Sequence, residues 1–212
     1  MKNFIKLLSL SAALICLCGA VLSCKDANTD AETDADTEFL TMPEYGAEEL
    51  GSYVKPVRYE GLTVTAREGE TAQAALWRYI VDSAEITEYP AEGVEYYVSQ
   101  ERAKYRYFAK RDGIEYEELL EALGITEESM RERARALLKD DLVLAYIIND
   151  ASISLTQEEK ALHKDKYAEM LVGIYGYDAE YIKKNMSEQI YDAMLSDKTM
   201  EYLLSKNTVL TK

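Results

Sequence analysis

The sequence predicts a mainly α fold: about six helices in one extended multi-helix domain, with a small β element at its N-terminal side. Three observations predict it. Only three prolines and ten glycines serve 212 residues, too few for a turn-rich β architecture of that size. An apolar share of 48 % supplies a core and excludes wholesale disorder. From about residue 68 onward, apolar residues recur at spacings of three and four, the period of a helix with one buried face.

Before that domain come two segments of different character. Lys2 and Lys6 precede an apolar run, Leu7 to Leu22, which is broken only by small residues. A basic start, an apolar middle and a small residue before the cut make a secretory signal, slightly short for a comfortable membrane span. The run closes on Val21-Leu22-Ser23-Cys24, which resembles the lipobox of bacterial lipoproteins. That resemblance implies removal of residues 1–23 and a diacylglyceryl group on Cys24, anchoring the chain to the extracytoplasmic face of a bacterial membrane. Cys16 and Cys18 leave with the signal, so the mature chain keeps Cys24 alone and forms no internal disulfide. Residues 24–44 then read as an acidic, disordered tether. Asp26, Asp30, Glu32, Asp34, Asp36 and Glu38 stand among almost no apolar residues, so ordering entropy is not offset.

Charge narrows the partners. The whole chain carries 24 bases against 39 acids, a net charge of −15. Loss of Lys2 and Lys6 with the signal leaves 22 bases and a net charge of −17. Such a surface repels phosphate backbones, so nucleic acid is not an expected partner. Seventeen tyrosines against three phenylalanines and one tryptophan is the unusual feature. Tyrosine offers a large apolar ring whose hydroxyl tolerates water, which suits surfaces that are alternately exposed and covered.

Residues 45–66 hold the short β element. Val57 and Tyr59, then Leu62 and Val64, alternate with polar neighbours on either side of Glu60-Gly61. Two short strands alone are marginal, so the element must dock on helices or pair elsewhere. Residues 67–212 form the helical domain. A helix to about Ala84 places Ala72, Ala75, Leu76, Tyr79 and Ile80 together, and Pro90 stops any continuation. A second, over 91–111, sets Val94, Tyr97, Val98, Tyr105 and Phe108 on one face, with Tyr96, Ala103 and Tyr107 on another. A short helix from Glu115 ends at Gly124, the expected C′ residue. Thr126 caps a long helix, 127–150, striped by Met130, Ala134, Leu137, Leu144 and Ile148. Thr156 and Glu159 form a capping box for a helix carrying Leu162, Ala168 and Leu171, which Gly173 and Gly176 break. A last helix runs from about Asp178 to Ser205.

One pattern recurs three times. Tyr79-Ile80-Val81-Asp82-Ser83-Ala84-Glu85-Ile86 is echoed at residues 146–153 and again at 202–209, each at a helix end. Stacked helices joined by similar corners need the same apolar plug at each corner.

Tyr89-Pro90, Gly113-Ile114-Glu115, Leu123 to Glu128, Ile148 to Ile153, Thr156 to Glu159 and Ile174 to Asp178 follow one another in this order. The series resembles the C-terminal domain of trigger factor, the bacterial ribosome-associated chaperone, over about residues 68–210. It is similar, more loosely, to the helical chaperone module of parvulin-type extracytoplasmic foldases. No Gly-Phe-Arg-x-Gly-Lys ribosome-docking motif is present, and the chain has no room for a prolyl isomerase domain beside its helices. The resemblance implies a helical cradle that binds unfolded or newly exported polypeptides. Its contacts are expected at Tyr96, Tyr105, Tyr107 and Phe108, with Tyr175 and Tyr177 near the glycine break. A prolyl isomerase-related foldase and a surface adhesin or envelope-complex subunit stay open as alternatives.

Catalytic chemistry has no candidate in the sequence. The single histidine, His163, stands on a helix between Leu162 and Lys164, without a nucleophile elbow or a zinc-ligand spacing to serve. No phosphate-binding glycine loop occurs, so no catalytic residue, metal or cofactor is expected.

Overall fold

The computed structural model describes residues 42–211. The expected signal segment 1–23, Cys24 and the expected tether up to residue 41 lie outside the described residues. The fold is mainly helical with one small two-stranded sheet, as the sequence predicts. In chain order the elements are α1 (Ala47–Tyr53), β1 (Thr63–Thr65), α2 (Ala72–Ser83), α3 (Ala91–Asp112), α4 (Tyr116–Leu123) and α5 (Glu127–Asp150). They continue through α6 (Gln157–Tyr175), α7 (Ala179–Asn185), α8 (Ser187–Lys206) and β2 (Thr208–Leu210).

Local chemistry accounts for most boundaries. Thr126 accepts from the Ser129 amide at 3.1 Å, and Thr156 and Glu159 bond each other's amides at 3.1 and 2.7 Å. Gly113, Gly124 and Gly176 end α3, α4 and α6 with φ of 69°, 63° and 72°, where a side chain would be strained. Gly173 does not break α6; it lies inside the helix, and Gly176 alone ends it. The expected helix over 178–205 is two, α7 and α8, divided at Met186 with φ −127°. Nor does the expected β element form a hairpin about Glu60-Gly61. Residues 47–53 are helical, and β1 pairs in parallel with β2, Val64 opposite Val209. Asn207 secures that pairing: its carboxamide oxygen accepts from the Leu62 amide at 2.8 Å. Its nitrogen donates to the carbonyls of Tyr59 and Leu203 at 2.8 and 2.7 Å.

The buried residues fall into three clusters. The first joins the β pair and α2 to the C-terminal ends of α5 and α8. Here the three repeated segments meet. Ile80, Ile147 and Leu203, the second residue of each copy, are all fully buried, with Ala84, Tyr146, Tyr202 and Val209 packed around them. The second cluster holds Leu50 and Val54, Val94, Tyr97 and Val98 of α3, and Ala134, Leu138 and Leu142 of α5. The third, formed by α6, α7 and the start of α8, is built on Tyr167, Ala168, Leu171, Ile182 and Ile190. Two expected stripes shift accordingly. The fully buried line of α5 is Met130, Ala134, Leu138, Leu142, Val143 and Ile147; Leu137, Leu144 and Ile148 are half-buried. In α6, Leu162 is 71 % exposed, while Ala168 and Leu171 are core.

Candidate functional site

Helix α3 carries most of the expected binding residues, and its two halves behave differently. The first half is fastened to α5. Gly93 permits this approach: a Cβ there would fall 2.4 Å from the Tyr45 hydroxyl and 2.9 Å from Leu138 Cδ1. Tyr97 is buried, and its hydroxyl donates to the Asp141 carboxylate on α5. Tyr96 is half-buried, its ring edge-on to Tyr97 with centroids 5.1 Å apart, and it packs on the second cluster. Tyr96 is therefore placed beside core rather than in a continuous outward stripe with Tyr107.

An ionic group closes the fastened half. Glu101 is only 2 % exposed, receives Arg133 Nε at 3.2 Å and pairs with Lys104 one turn along. A buried carboxylate needs such partners, because without them its charge is left uncompensated. Beyond it, ring surface takes over. Lys104 Nζ lies 4.6 Å from the Tyr105 ring centre, and the Tyr107 and Phe108 rings are 5.8 Å apart. Arg111 covers Phe108 at 5.0 Å, and Arg106 covers Tyr116 of α4 at 5.5 Å. Tyr105, Tyr107 and Phe108 are half-buried. The turn at Gly113 then sends the chain into α4; Ile114 in that turn is 37 % exposed and Leu123, the last residue of α4, 55 %. The α3–α4 hairpin thus carries three expected residues and two further exposed aliphatic ones, Ile114 in the turn and Leu123 at the end of α4. Sequence periodicity missed Ile114 and Leu123 because both flank a short helix, where spacing assigns no face.

Tyr175 and Tyr177 sit elsewhere, half-buried against the third cluster. Gly176 turns the chain between them, and Tyr177 stacks on Tyr181 with centroids 4.5 Å apart. Tyr181, 44 % exposed, is a further residue the sequence reading did not single out. The structure therefore divides the six expected residues among three places, with only Tyr105, Tyr107 and Phe108 together. Cys24 lies outside the described residues.

Many of the other aromatic residues hold acids. Tyr59 donates to Asp150 and Tyr167 to Asp197, each at 2.5 Å, Tyr202 donates to Glu60, and Trp77 Nε1 donates to Asp140 at 2.8 Å. Burial and then the neighbouring carboxylate push the Tyr59 phenol well above its ordinary range, and the same holds at Tyr167, so both stay donors. Burial pushes Asp141 up to about 6 against the pull of the Tyr97 bond. Asp140 and Asp197 are raised by burial as well. Among the described residues, no group of three or more His, Cys, Asp or Glu side chains is placed to hold a metal ion. No helix among them is long and apolar enough to cross a membrane.

The arrangement defines a helical module that presents aromatic and aliphatic surface at a helix–turn–helix tip. Over 127 residues the chain is 28 % identical to the trigger factor of Caldicellulosiruptor saccharolyticus and 25 % identical to that of Caldicellulosiruptor bescii. Each alignment covers 56 % of this chain and 27 % of the relative, so the chain spans little more than a quarter of the curated relatives it matches. No family model matches the chain. No solved structure matches it either.

Proposed function

We propose that this chain is a membrane-tethered, extracytoplasmic chaperone that holds unfolded or newly exported polypeptides without chemistry of its own. The distant likeness to trigger factors supports the class. The observation that carries the reading is the α3–α4 hairpin, which bears half-buried Tyr107 and Phe108 on α3, exposed Ile114 in the turn and exposed Leu123 at the end of α4. Exposed apolar side chains clustered on an otherwise charged protein mark an interaction surface. Complete burial of one such side chain contributes roughly 1.5–3 kcal/mol. A few partly covered side chains, less the cost of ordering the client, amount to weak and reversible capture. The net charge of −17 left after loss of residues 1–23 would keep loaded complexes apart.

Two measurements test the reading. A reduced and alkylated protein that cannot refold, fluorescently labelled, should bind the full chain saturably, while its folded form should not; equal binding of both forms would contradict the chaperone reading. For the tether, Cys24→Ser should abolish incorporation of labelled fatty acid and release the chain from the membrane fraction. Unchanged labelling would contradict the lipid anchor and leave client binding to be judged separately.

A further inference from the structure

The outward face of distal α3 is basic within a strongly acidic chain. Residues 102–111 contain Arg102, Lys104, Arg106, Lys110 and Arg111 and no acid. Most of these cations are committed: Arg102 to Glu95 and Glu127, Lys104 to Glu101, Arg111 to Asp112. Arg106 and Lys110 are exposed, one helical turn apart, and neither forms an ion pair among the described residues. At about 100° per residue they lie about 40° from each other, on one side of Tyr107, with Lys110 about 60° round the helix from it and both well away from buried Glu101. Glu115 before α4 and Glu117, Glu118 and Glu121 within it form no ion pair with either cation.

We propose that this face is a docking surface for the acid-rich segment of the same chain, residues 25–38. Charge complementarity selects the occupant. The segment has six acids, Asp26, Asp30, Glu32, Asp34, Asp36 and Glu38, against Lys25 alone. Its point of entry is also suitable. The described chain begins at Met42, which packs on the second cluster, and Tyr45 sits against Gly93 at the start of α3. Arg106 and Lys110 lie about 20 and 26 Å from Gly93 along the helix, at about 1.5 Å per residue. Glu38 and Asp30 lie about 13 and 40 Å of extended chain before Met42, at about 3.3 Å per residue. The acids therefore span the distance to both cations. Docking there covers Tyr107, so the segment competes with clients for the tip; that consequence, unlike the docking, rests on the chaperone reading above.

The test uses the full chain in detergent micelles, with photoreactive benzoylphenylalanine in place of Thr33. Within-chain cross-links should concentrate on residues 102–111. They should fall at least fivefold in Arg106→Ser/Lys110→Ser, and similarly in 1 M salt, while the helical circular dichroism stays unchanged. Cross-links concentrated on another element, or unaltered by the double substitution, would overturn the proposal. So would cross-links joining light and heavy isotope-labelled chains, which point to a second copy as the occupant. Client binding, measured separately by anisotropy, keeps the two readings distinct: cross-links to α3 without client binding defeat the chaperone reading alone, and client binding without them defeats the docking alone.

Discussion

Tyr97 and Asp141 show at the residue scale what part of the tyrosine excess accomplishes. The phenol gives a buried carboxylate a neutral donor, so the acid enters the α3–α5 interface without a second charge. Ionisation is still penalised, and burial pushes Asp141 from 3.8 up to about 6. Since the folded value is the higher one, protonation favours the fold: the contribution is fully present below about 3.8 and is lost as pH rises through about 6. Asp140, Asp192 and Asp197 are raised by burial and act with the same sign. Glu70 and Glu159 act oppositely, held down to about 2 mainly by Arg78 and Lys198, so their support vanishes as pH falls from 4.5 through 2. The urea midpoint should therefore be higher at pH 5 than at pH 7.5. Asp141→Asn should remove much of that difference, on the order of 1–3 kcal/mol; a variant with an unchanged slope would contradict this placement of Asp141. Gly93 offers a second residue-scale test. Alanine is the better helix former by about 1 kcal/mol, yet its Cβ would collide with Tyr45 and Leu138. Gly93→Ala should lower stability by about 1–3 kcal/mol in chemical denaturation, and a gain would contradict the close α3–α5 approach.

Elements were legible where local chemistry decides and obscure where distant chain decides. Thr126, Thr156 and Gly124 place helix ends through groups within a few residues, and those ends stand as expected. The repeated eight-residue pattern also carried real information, since its buried second residues, Ile80, Ile147 and Leu203, meet in one cluster. The pairing of β1 was not readable, because its partner lies at the far end of the sequence, and alternation does not name a partner. Helix α1 was missed because seven residues with Gly51 inside and only Leu50 buried leave no periodic signal. The α5 stripe turned because that helix serves two clusters: Ala134, Leu138 and Leu142 face one, and Val143 and Ile147 the other. Asn207 tests the β pairing directly. Asn207→Ala removes three hydrogen bonds, two joining the end of α8 to the β1 segment at the Leu62 amide and the Tyr59 carbonyl and one back to the Leu203 carbonyl of α8, and should cost about 1–3 kcal/mol. Amide exchange at Thr208 and Ala66 should accelerate in that variant; unaltered protection there would mean that the strands hold without Asn207.

For the whole molecule, the α3–α5 anchor and the three-way helix junction fix a frame from which the α3–α4 tip is presented. The expected contact residues Tyr105, Tyr107 and Phe108 share the distal part of α3, whereas Tyr96, on the same helix, packs against the second cluster, a placement that helical spacing alone does not give. Packing thus separates aromatic surface that supports the frame from aromatic surface outside the three clusters. Exposed substitutions usually change stability by no more than about 0.5 kcal/mol, so the tip can be altered without unfolding the frame. The most direct measurement is suppression of aggregation of a chemically denatured client by the full chain, compared with Tyr107→Ser/Ile114→Ser/Leu123→Ser. The triple variant should keep the wild-type denaturation midpoint to within about 1 kcal/mol and lose at least three-quarters of the suppression. A stable triple variant that suppresses aggregation as well as the wild type would contradict the assignment of client binding to the α3–α4 tip.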